Sequence, residues 1–343
     1  MSTINGRDSL CAMPPEELNA RLKLAPAFRG RQLFQWIHQR QTFDFQQMSN
    51  LPAELREKLA ENYGSALSSE IVQSQSDSDG TVKVMIRLAD GKKIESVLLN
   101  DEHGRRTACL SSQVGCALAC RFCKTGTMGL LRNLSAGEIV EQYYHLSLRY
   151  GRIDNIVFMG MGEPLQNLAA LRRAIEIFQN PQGLHMSPRR ITVSTSGIVS
   201  GIRQLAAEGP PVRLAVSLIS ADPKLRRDLM PVAGLVALEE LQQALLDYQR
   251  AHGKRITLEY VLFHRKNSRP ADVEALVDFV RPLNVLVNLI PWNRVAELDF
   301  QEPGAREIDD FAEKLTQAGI RLSRRYRRGR GIDGACGQLA APQ

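Results

Sequence analysis

The spacing of apolar and polar residues changes twice along the chain. Between residues 14 and 65 apolar positions recur at helical intervals. Phe28, Leu33, Phe34, Trp36 and Ile37 share one broad face, and a second short helix is expected after Pro52. Two turn signals follow, Asp79-Gly80 and Asp90-Gly91. They bracket alternating stretches at Thr81–Leu88 and Ile94–Leu99, which predicts a β-hairpin. From about residue 107 short apolar runs alternate with amphipathic ones. Strands are expected at Asn155–Met159, Arg190–Ser194, Arg213–Ser217, Thr257–Phe263 and Asn284–Ile290. Helices are expected between them, at Ala136–Tyr150, Leu168–Gln179, Val199–Ala207, Leu238–Ala251 and Pro270–Val280, the first opened by a Ser135/Glu138 capping box. Such alternation predicts a parallel sheet, open or curled into a barrel, with ligands beyond the carboxyl ends of its strands. Periodicity does not choose between the two.

Composition narrows the class. With 43% hydrophobic and 24% charged residues, the chain falls among ordinary globular proteins. No apolar run reaches the roughly 18 residues of a membrane span. The start, MSTINGRDSLCAMPPEEL, has no basic segment followed by an apolar one, so no secretory signal is read and the cytosol is the expected address. A net charge of +7 suits a polyanionic partner, because lysines and arginines displace counterions condensed on phosphates. The six cysteines are Cys11, Cys109, Cys116, Cys120, Cys123 and Cys336. In a reducing compartment their clustering points to metal binding or catalysis rather than to a disulfide framework.

Cys116-Ala-Leu-Ala-Cys120-Arg-Phe-Cys123 is a CxxxCxxC motif. Three thiolates this close fold onto one small site. A cubane of four irons held by three cysteines keeps one iron open for another ligand. Other readings stay open at this point. The cysteines can be passive buried thiols, a zinc site completed by Cys109, or an electron-carrier cluster whose fourth ligand is Cys109 or Cys336.

The surrounding motifs are more specific. Ala108-Cys109-Leu110-Ser111-Ser112-Gln113-Val114-Gly115-Cys116, Phe158-Met159-Gly160-Met161-Gly162-Glu163-Pro164, Val193-Ser194-Thr195-Ser196-Gly197, Asn288-Leu289-Ile290-Pro291-Trp292-Asn293 and Gly334-Ala335-Cys336-Gly337-Gln338-Leu339 occur in order. Together with the Phe28-Arg29 helix and the Ser78-Asp79-Gly80-Thr81 hairpin, they resemble the RlmN/Cfr family of radical S-adenosylmethionine (SAM) enzymes that methylate adenine carbons in RNA. The resemblance covers nearly the whole chain. It implies an α/β fold, a partial (β/α)6 radical SAM barrel at residues 91–328. A small helical and β-hairpin accessory domain that contacts RNA would occupy residues 1–90, and a C-terminal tail residues 329–343. It implies one 4Fe–4S cluster on Cys116, Cys120 and Cys123. SAM contacts would fall on Gly162, Glu163, Ser194, Ser217, Leu218, Ile219 and Asn293. Cys336 would carry the methyl group, Cys109 would resolve the adduct, and Glu95 would accept a proton.

The chemistry implied is coherent. An adenine ring carbon is too electron-poor for direct alkylation by SAM, whereas a thiolate takes a sulfonium methyl readily. Two SAM molecules would be used per turnover. One methylates Cys336. The other is cleaved at the cluster to a 5′-deoxyadenosyl radical, which activates that methyl for bonding to the ring. Attack by Cys109 on the Cys336 sulfur then frees the product and leaves a transient disulfide. The expected substrate is adenosine carbon 2 in 23S rRNA, and also tRNA, with carbon 8 and a zinc-stabilised, non-catalytic RNA-binding protein as alternatives. A flavodoxin or ferredoxin is the expected electron donor, and a monomer the expected state. Without the resemblance, Cys336 reads as a passive thiol, Glu95 as a solvent-facing strand carboxylate, and Ser194 and Ser217 as local backbone caps. Two basic groups are candidate RNA contacts: Arg321, Arg324, Arg325, Arg327, Arg328 and Arg330 before Cys336, and Arg29, Arg31, His38 and Arg40 near the N-terminus. Ile219 stands where many relatives have His, leaving only packing or main-chain roles there. Lys124-Thr125-Gly126-Thr127-Met128-Gly129 departs from the Ser-Thr-Ala-Gln-Gln run of carbon-2 enzymes. Cys11 matches nothing and is expected to be non-catalytic.

Overall fold

The computed structural model describes residues 9–324 and 328–343. Its first part is three helices, α1 (Pro15–Leu22), α2 (Phe28–His38) and α3 (Ala53–Tyr63). The expected helical stretch is thus interrupted by a loop between α2 and α3. The α2 face buries Leu33, Phe34, Trp36 and Ile37, but Phe28 is 51% exposed and is not part of it. His38 is fully buried and hydrogen-bonds the Tyr144 hydroxyl at 2.6 Å. It therefore belongs to the core and is withdrawn as an RNA contact.

Strands β1 (Glu70–Ser76), β2 (Val82–Arg87), β3 (Lys93–Asn100) and β4 (Arg106–Cys109) form an antiparallel meander. The expected hairpin is β2–β3. β1 was hidden in the sequence because its Glu-Ile-Val-Gln-Ser-Gln-Ser run is polar, as suits a solvated edge strand. A small ribbon, β5 (Gln113–Gly115) with β6 (Leu130–Asn133), encloses the cysteine loop and the short helix α4 (Lys124–Thr127).

The alternating region then forms as expected. It runs α5 (Ala136–Tyr150), β7 (Asn155–Phe158), α6 (Leu168–Gln179), β8 (Ile191–Thr195), α7 (Val199–Glu208), β9 (Arg213–Ser217), α8 (Pro223–Leu229), α9 (Leu238–His252), β10 (Ile256–Leu262), α10 (Pro270–Val280), β11 (Val285–Pro291), α11 (Ala305–Gln317) and β12 (Leu322–Arg324). The Ser135/Glu138 capping box at α5 is present in both directions. The described strands join in the order β1-β2-β3-β4-β7-β8-β9-β10-β11-β12, parallel from β4 onward. The parallel part curls around a common interior, since Cys109 on β4 and Ser323 on β12 line one cavity. The sheet stays open, with β1 and β12 as its edges. This is the partial barrel of the radical SAM fold.

The larger apolar core runs from Leu10 to Ala341, so the N-terminal helices, the barrel and the tail pack together. Cys11 is fully buried in it, its thiol on the Ala66 carbonyl at 3.4 Å, a structural role. A second core gathers Ile219, Leu229, Met230, Phe263 and Trp292 beneath the cysteine loop.

Candidate active site

The cysteine loop leaves β5 through Gly115, at φ +79°. A Cβ there would lie 1.9 Å from the Gly129 carbonyl oxygen, so only glycine closes this turn. Cys116 N–H then donates to Gly129 O at 2.8 Å, and Cys123 N–H to Cys120 O at 3.1 Å. The loop is held from two sides. Arg121 N–H donates to Leu229 O, and the Trp292 indole to Phe122 O at 3.2 Å, seating the loop on the second core. From the other side the C-terminal tail docks: Lys124 N–H donates to Gly337 O at 2.7 Å and the Thr125 hydroxyl to Leu339 O at 2.6 Å.

Cys116, Cys120 and Cys123 line a cavity of about 170 Å³ at the carboxyl ends of β7 to β11. Gly162, Glu163, Ser194, Ser217, Ile219, Asn293 and Cys336 line it too. Leu218 does not. Its side chain is in the core, its N–H donates to Glu259 O and its carbonyl accepts from Arg226. Ile219, at φ +63°, packs into the second core, the role left to it by its side chain. Glu163 is 3% exposed. Its two carboxylate oxygens accept from the Ser196 and Leu165 N–H groups at 2.8 and 3.0 Å, so the side chain braces the β7 and β8 loops. Burial raises its pKa, and those amide bonds oppose the rise. Gly162, at φ +99°, passes Gln113 so closely that a Cβ would lie 2.5 Å from the Gln113 Cβ.

A larger, open cavity of about 740 Å³ fills the barrel. Cys109 and Cys336 both line it, and it shares Met159, Glu259, Ile290, Asn293 and Cys336 with the smaller cavity. Exposed Arg105, Arg189, Arg190, Arg213 and Arg324 stand along its rim. Of the C-terminal basic group, Arg324 pairs with Asp309 and Arg330 with Glu302, and Arg328 donates to Asn100 O, while Arg325 and Arg327 lie outside the described residues. Arg29 bonds Asn50 O and Arg40 stacks on Trp36, leaving Arg31 exposed on that helix.

Glu95 is 3% exposed, so it is not a solvent-facing strand carboxylate, and it lines neither cavity. It lies under the tail, accepting from Ala340 N–H at 2.9 Å and facing Lys83 Nζ at 3.1 Å. Asn293 donates to the Cys336 carbonyl at 3.1 Å. The six cysteines are unbridged.

One residue escaped sequence reasoning altogether. Arg226 sits in the run Lys224-Leu225-Arg226-Arg227-Asp228, which reads as a solvated charge cluster, yet it is 1% exposed. Its guanidinium donates to the carbonyls of Ser217, Leu218 and Ser196, pinning the ends of β9 and β8 together. Burial lowers its pKa to about 10. No sequence signal distinguishes it from its neighbour Arg227.

The site fits an iron–sulfur cluster and a polar cofactor. Burial raises the pKa of all three loop thiols, that of Cys116 to about 11, so it is the positive charge of bound iron that favours the thiolate form. Among the described residues no three Cys, His, Asp or Glu side chains are grouped around one metal position, and the three thiols line the wall of the cavity. Asn293 Oδ1 is buried on the cavity wall without a protein hydrogen-bond partner, an acceptor suited to a polar ligand.

Known proteins share this arrangement. The radical SAM superfamily pattern matches residues 110–280. That of the ribosomal RNA large subunit methyltransferase N-terminal domain matches residues 22–63. A probable dual-specificity RNA methyltransferase RlmN of Treponema pallidum strain Nichols is 48% identical over 332 residues, spanning 96% of this chain and 97% of the relative. Its counterpart in Treponema denticola is 45% identical over 335 residues, spanning 98% and 96%. A crystal structure of a radical SAM methyltransferase from Sphaerobacter thermophilus matches with a TM-score of 0.92 at 41% identity, covering 96% of this chain and 98% of that one. This chain therefore belongs to the RlmN family of radical SAM RNA methyltransferases, enzymes that transfer methyl groups with the aid of a 4Fe–4S cluster and SAM.

Proposed function

We propose that this enzyme methylates carbon 2 of adenosine in 23S rRNA, and also in tRNA, through an S-methylcysteine on Cys336. One observation carries the reading: Cys109, on β4, and Cys336, on the tail, line one cavity whose wall is shared with the cavity of the three loop cysteines. Residues far apart in sequence meet where a methyl carrier and a resolving thiol are needed. The dual specificity in the description of the Treponema relatives accords with more than one RNA substrate.

When bound on Cys116, Cys120 and Cys123, the cluster supplies the electron that splits the C–S bond of SAM. The chain does the rest. Gly162 and Ser194 offer backbone approach and a hydroxyl to the cofactor, beside Glu163, Ser217, Ile219 and Asn293, with Leu218 contributing main chain. Cys336 takes a methyl from one SAM, forming a thioether. That methyl would give a hydrogen atom to the radical derived from the second SAM, its carbon would bond to the adenine ring, and the adduct would return one electron to the oxidised cluster before it loses the ring proton. Glu95 is assigned as acceptor of the ring proton on the family resemblance alone, since with the tail docked it is bonded to Ala340 N–H and lines neither cavity. The Cys109 thiolate would then attack the Cys336 sulfur, forming the S–S bond as the S–CH2 bond breaks, and the methylene carbon would take up a proton to become the methyl group on RNA. Residues 1–90 act as the accessory RNA-docking part, residues 91–328 as the barrel and residues 329–343 as the carrier tail. A flavodoxin or ferredoxin delivers electrons, and the enzyme works as a cytosolic monomer.

The test is anaerobic reconstitution, then dithionite, SAM and 23S rRNA fragments, with nucleoside mass spectrometry. The expected product is 2-methyladenosine together with 5′-deoxyadenosine. Finding 8-methyladenosine would move the target to carbon 8. A colourless zinc protein that leaves SAM intact would refute the enzymatic reading.

A further inference from the structure

We propose that the turn between β1 and β2, through Asp77 and Asp79, is a clamp that positions the C-terminal tail so that Cys336 is presented to both cavities. The inference rests on the reading of Cys336 as methyl carrier, and it adds what holds that carrier in register.

The Ser78-Asp79-Gly80-Thr81 hairpin lines neither cavity, yet it grips the segment that leads to Cys336. The turn is fixed from within. Asp77 N–H donates to Thr81 O at 2.8 Å, and Gly80 N–H to Asp77 O at 3.1 Å. One oxygen of each carboxylate closes the turn further: Asp77 Oδ1 accepts from Ser78 N–H at 2.7 Å, and Asp79 Oδ1 from Thr81 N–H at 2.8 Å. The other oxygen of each reaches the tail. Asp79 Oδ2 accepts from Gly329 N–H and Asp77 Oδ2 from Gly331 N–H, both at 2.9 Å. Carboxylates at alternate positions of the turn thus hold amides at alternate positions of the tail.

The tail is shaped for this contact. Gly329 lies at φ +71°, and a Cβ there would stand 2.8 Å from Thr81 Cγ2. A Cβ on Gly331 would stand 3.0 Å from Asp77 Oδ1. The same sheet adds two contacts before the carrier, Arg328 donating to Asn100 O and Lys83 Nζ to Asp333 O at 3.4 Å. It takes hold again after the carrier, where Glu95 accepts from Ala340 N–H and Lys93 N–H donates to Gln343 Oε1 at 3.1 Å. Cys336 is exposed between these two grips and lines both cavities.

Bonds from amides to carboxylates are stronger than those to neutral oxygens, and bonds to main-chain amides fix the path of the chain itself. A carrier needs that. A misplacement of about 1 Å between reacting groups costs on the order of 100-fold in rate. Asp77 and Asp79 are therefore positioning residues, acting on Cys336 through the tail.

The experiment uses full-length, cluster-reconstituted enzyme with dithionite, SAM and a 23S rRNA fragment. Methylated adenosine, 5′-deoxyadenosine and the methylated Cys336 peptide are measured by mass spectrometry. Asn has one acceptor oxygen, so in place of either Asp it closes the turn or holds the tail, not both. The Asp77→Asn/Asp79→Asn variant is expected to give about 10-fold less methylated adenosine per 5′-deoxyadenosine, roughly the value of two partly exposed hydrogen bonds. Its KM for SAM and rate of SAM cleavage should stay within about twofold of wild type, which a general loss of structure would not allow. Gly331→Ala disturbs the same contact from the tail and leaves the hairpin intact. It should lower the same ratio, and its loss should not add to that of Asp77→Asn. An unchanged ratio in the Asn variant overturns the proposal, as does one in Gly331→Ala if the Asn variant does not fold. Fully additive losses, or SAM cleavage falling as far as methylation, overturn it too. Methyl on neither Cys336 nor adenosine with wild type is a different failure: it removes the carrier reading, and this proposal with it.

Discussion

The two cavities of the barrel are built on opposite terms. The small one is braced by backbone: Gly115 and Gly162 bring strands into contact, Glu163 bonds amides with both oxygens, and Arg226 ties three carbonyls. The large one has more than four times the volume, exposed arginines along its rim and polar side chains such as Asn288 and Ser323 in its wall. The difference follows from what each must hold. A cofactor cleaved by electron transfer needs fixed geometry and little water, whereas one base of a folded RNA needs entry and a charged landing surface. Cys336, Asn293 and Glu259 are where the two meet.

Substitutions at that border separate the cavities most strongly. Cys336→Ala is expected to abolish RNA methylation while reductive cleavage of SAM to 5′-deoxyadenosine persists. Cys109→Ala is expected instead to trap a covalent protein–RNA adduct, visible as a shifted band on denaturing gels. Clean product release by the Cys109 variant would take that residue out of the reaction.

Arg226 tests the small cavity. Arg226→Met leaves buried carbonyls without donors, and a loss of about 3 kcal/mol in stability is expected from urea unfolding. The KM for SAM should rise as well, with partial recovery in Arg226→Lys. An unchanged KM in a variant that still folds would limit Arg226 to stability. The accessory part supplies a control outside both cavities. Burial lowers the pKa of His38 from 6.5 to about 3. The unfolded chain binds a proton between those values that the folded chain does not, so stability falls as the pH drops below about 6.5. By pH 5 the loss from this group is about 2 kcal/mol, and His38→Gln should flatten that part of the profile. His145, lowered by burial to about 4, contributes in the same direction. The smallest effect belongs to the rim. Arg190→Ala should weaken RNA binding by about two- to fivefold and lower the salt slope by roughly 1, without changing SAM cleavage.

Much of the fold is legible in the chain because it depends on local periodicity. The alternating strands and helices from Asn155 onward, the β2–β3 hairpin and the Ser135/Glu138 box need only neighbouring residues to be recognised. β1 and α11 were not read: β1 is a polar edge strand, and α11 turns a strongly charged surface outward. The site divides similarly. Cys116, Cys120 and Cys123 stand in a spacing with few other uses, whereas Gly162 and Asn293 taken alone read equally well as turn residues. Leu218 shows the limit of a motif, which marks a stretch without saying which side chain faces the ligand.

By itself the sequence determined the alternation of elements, the cysteine loop and the glycines that let it close, because turn chemistry and hydrophobic period act over a few residues. Only the tertiary structure decided that Arg226 is buried while Arg227 beside it is not, that His38 is core, and that Glu259 stands between two cavities. Those outcomes depend on which strands become neighbours and how far the sheet curls. That is settled by packing between segments tens to hundreds of residues apart, where the pattern of one segment carries no record of its partner.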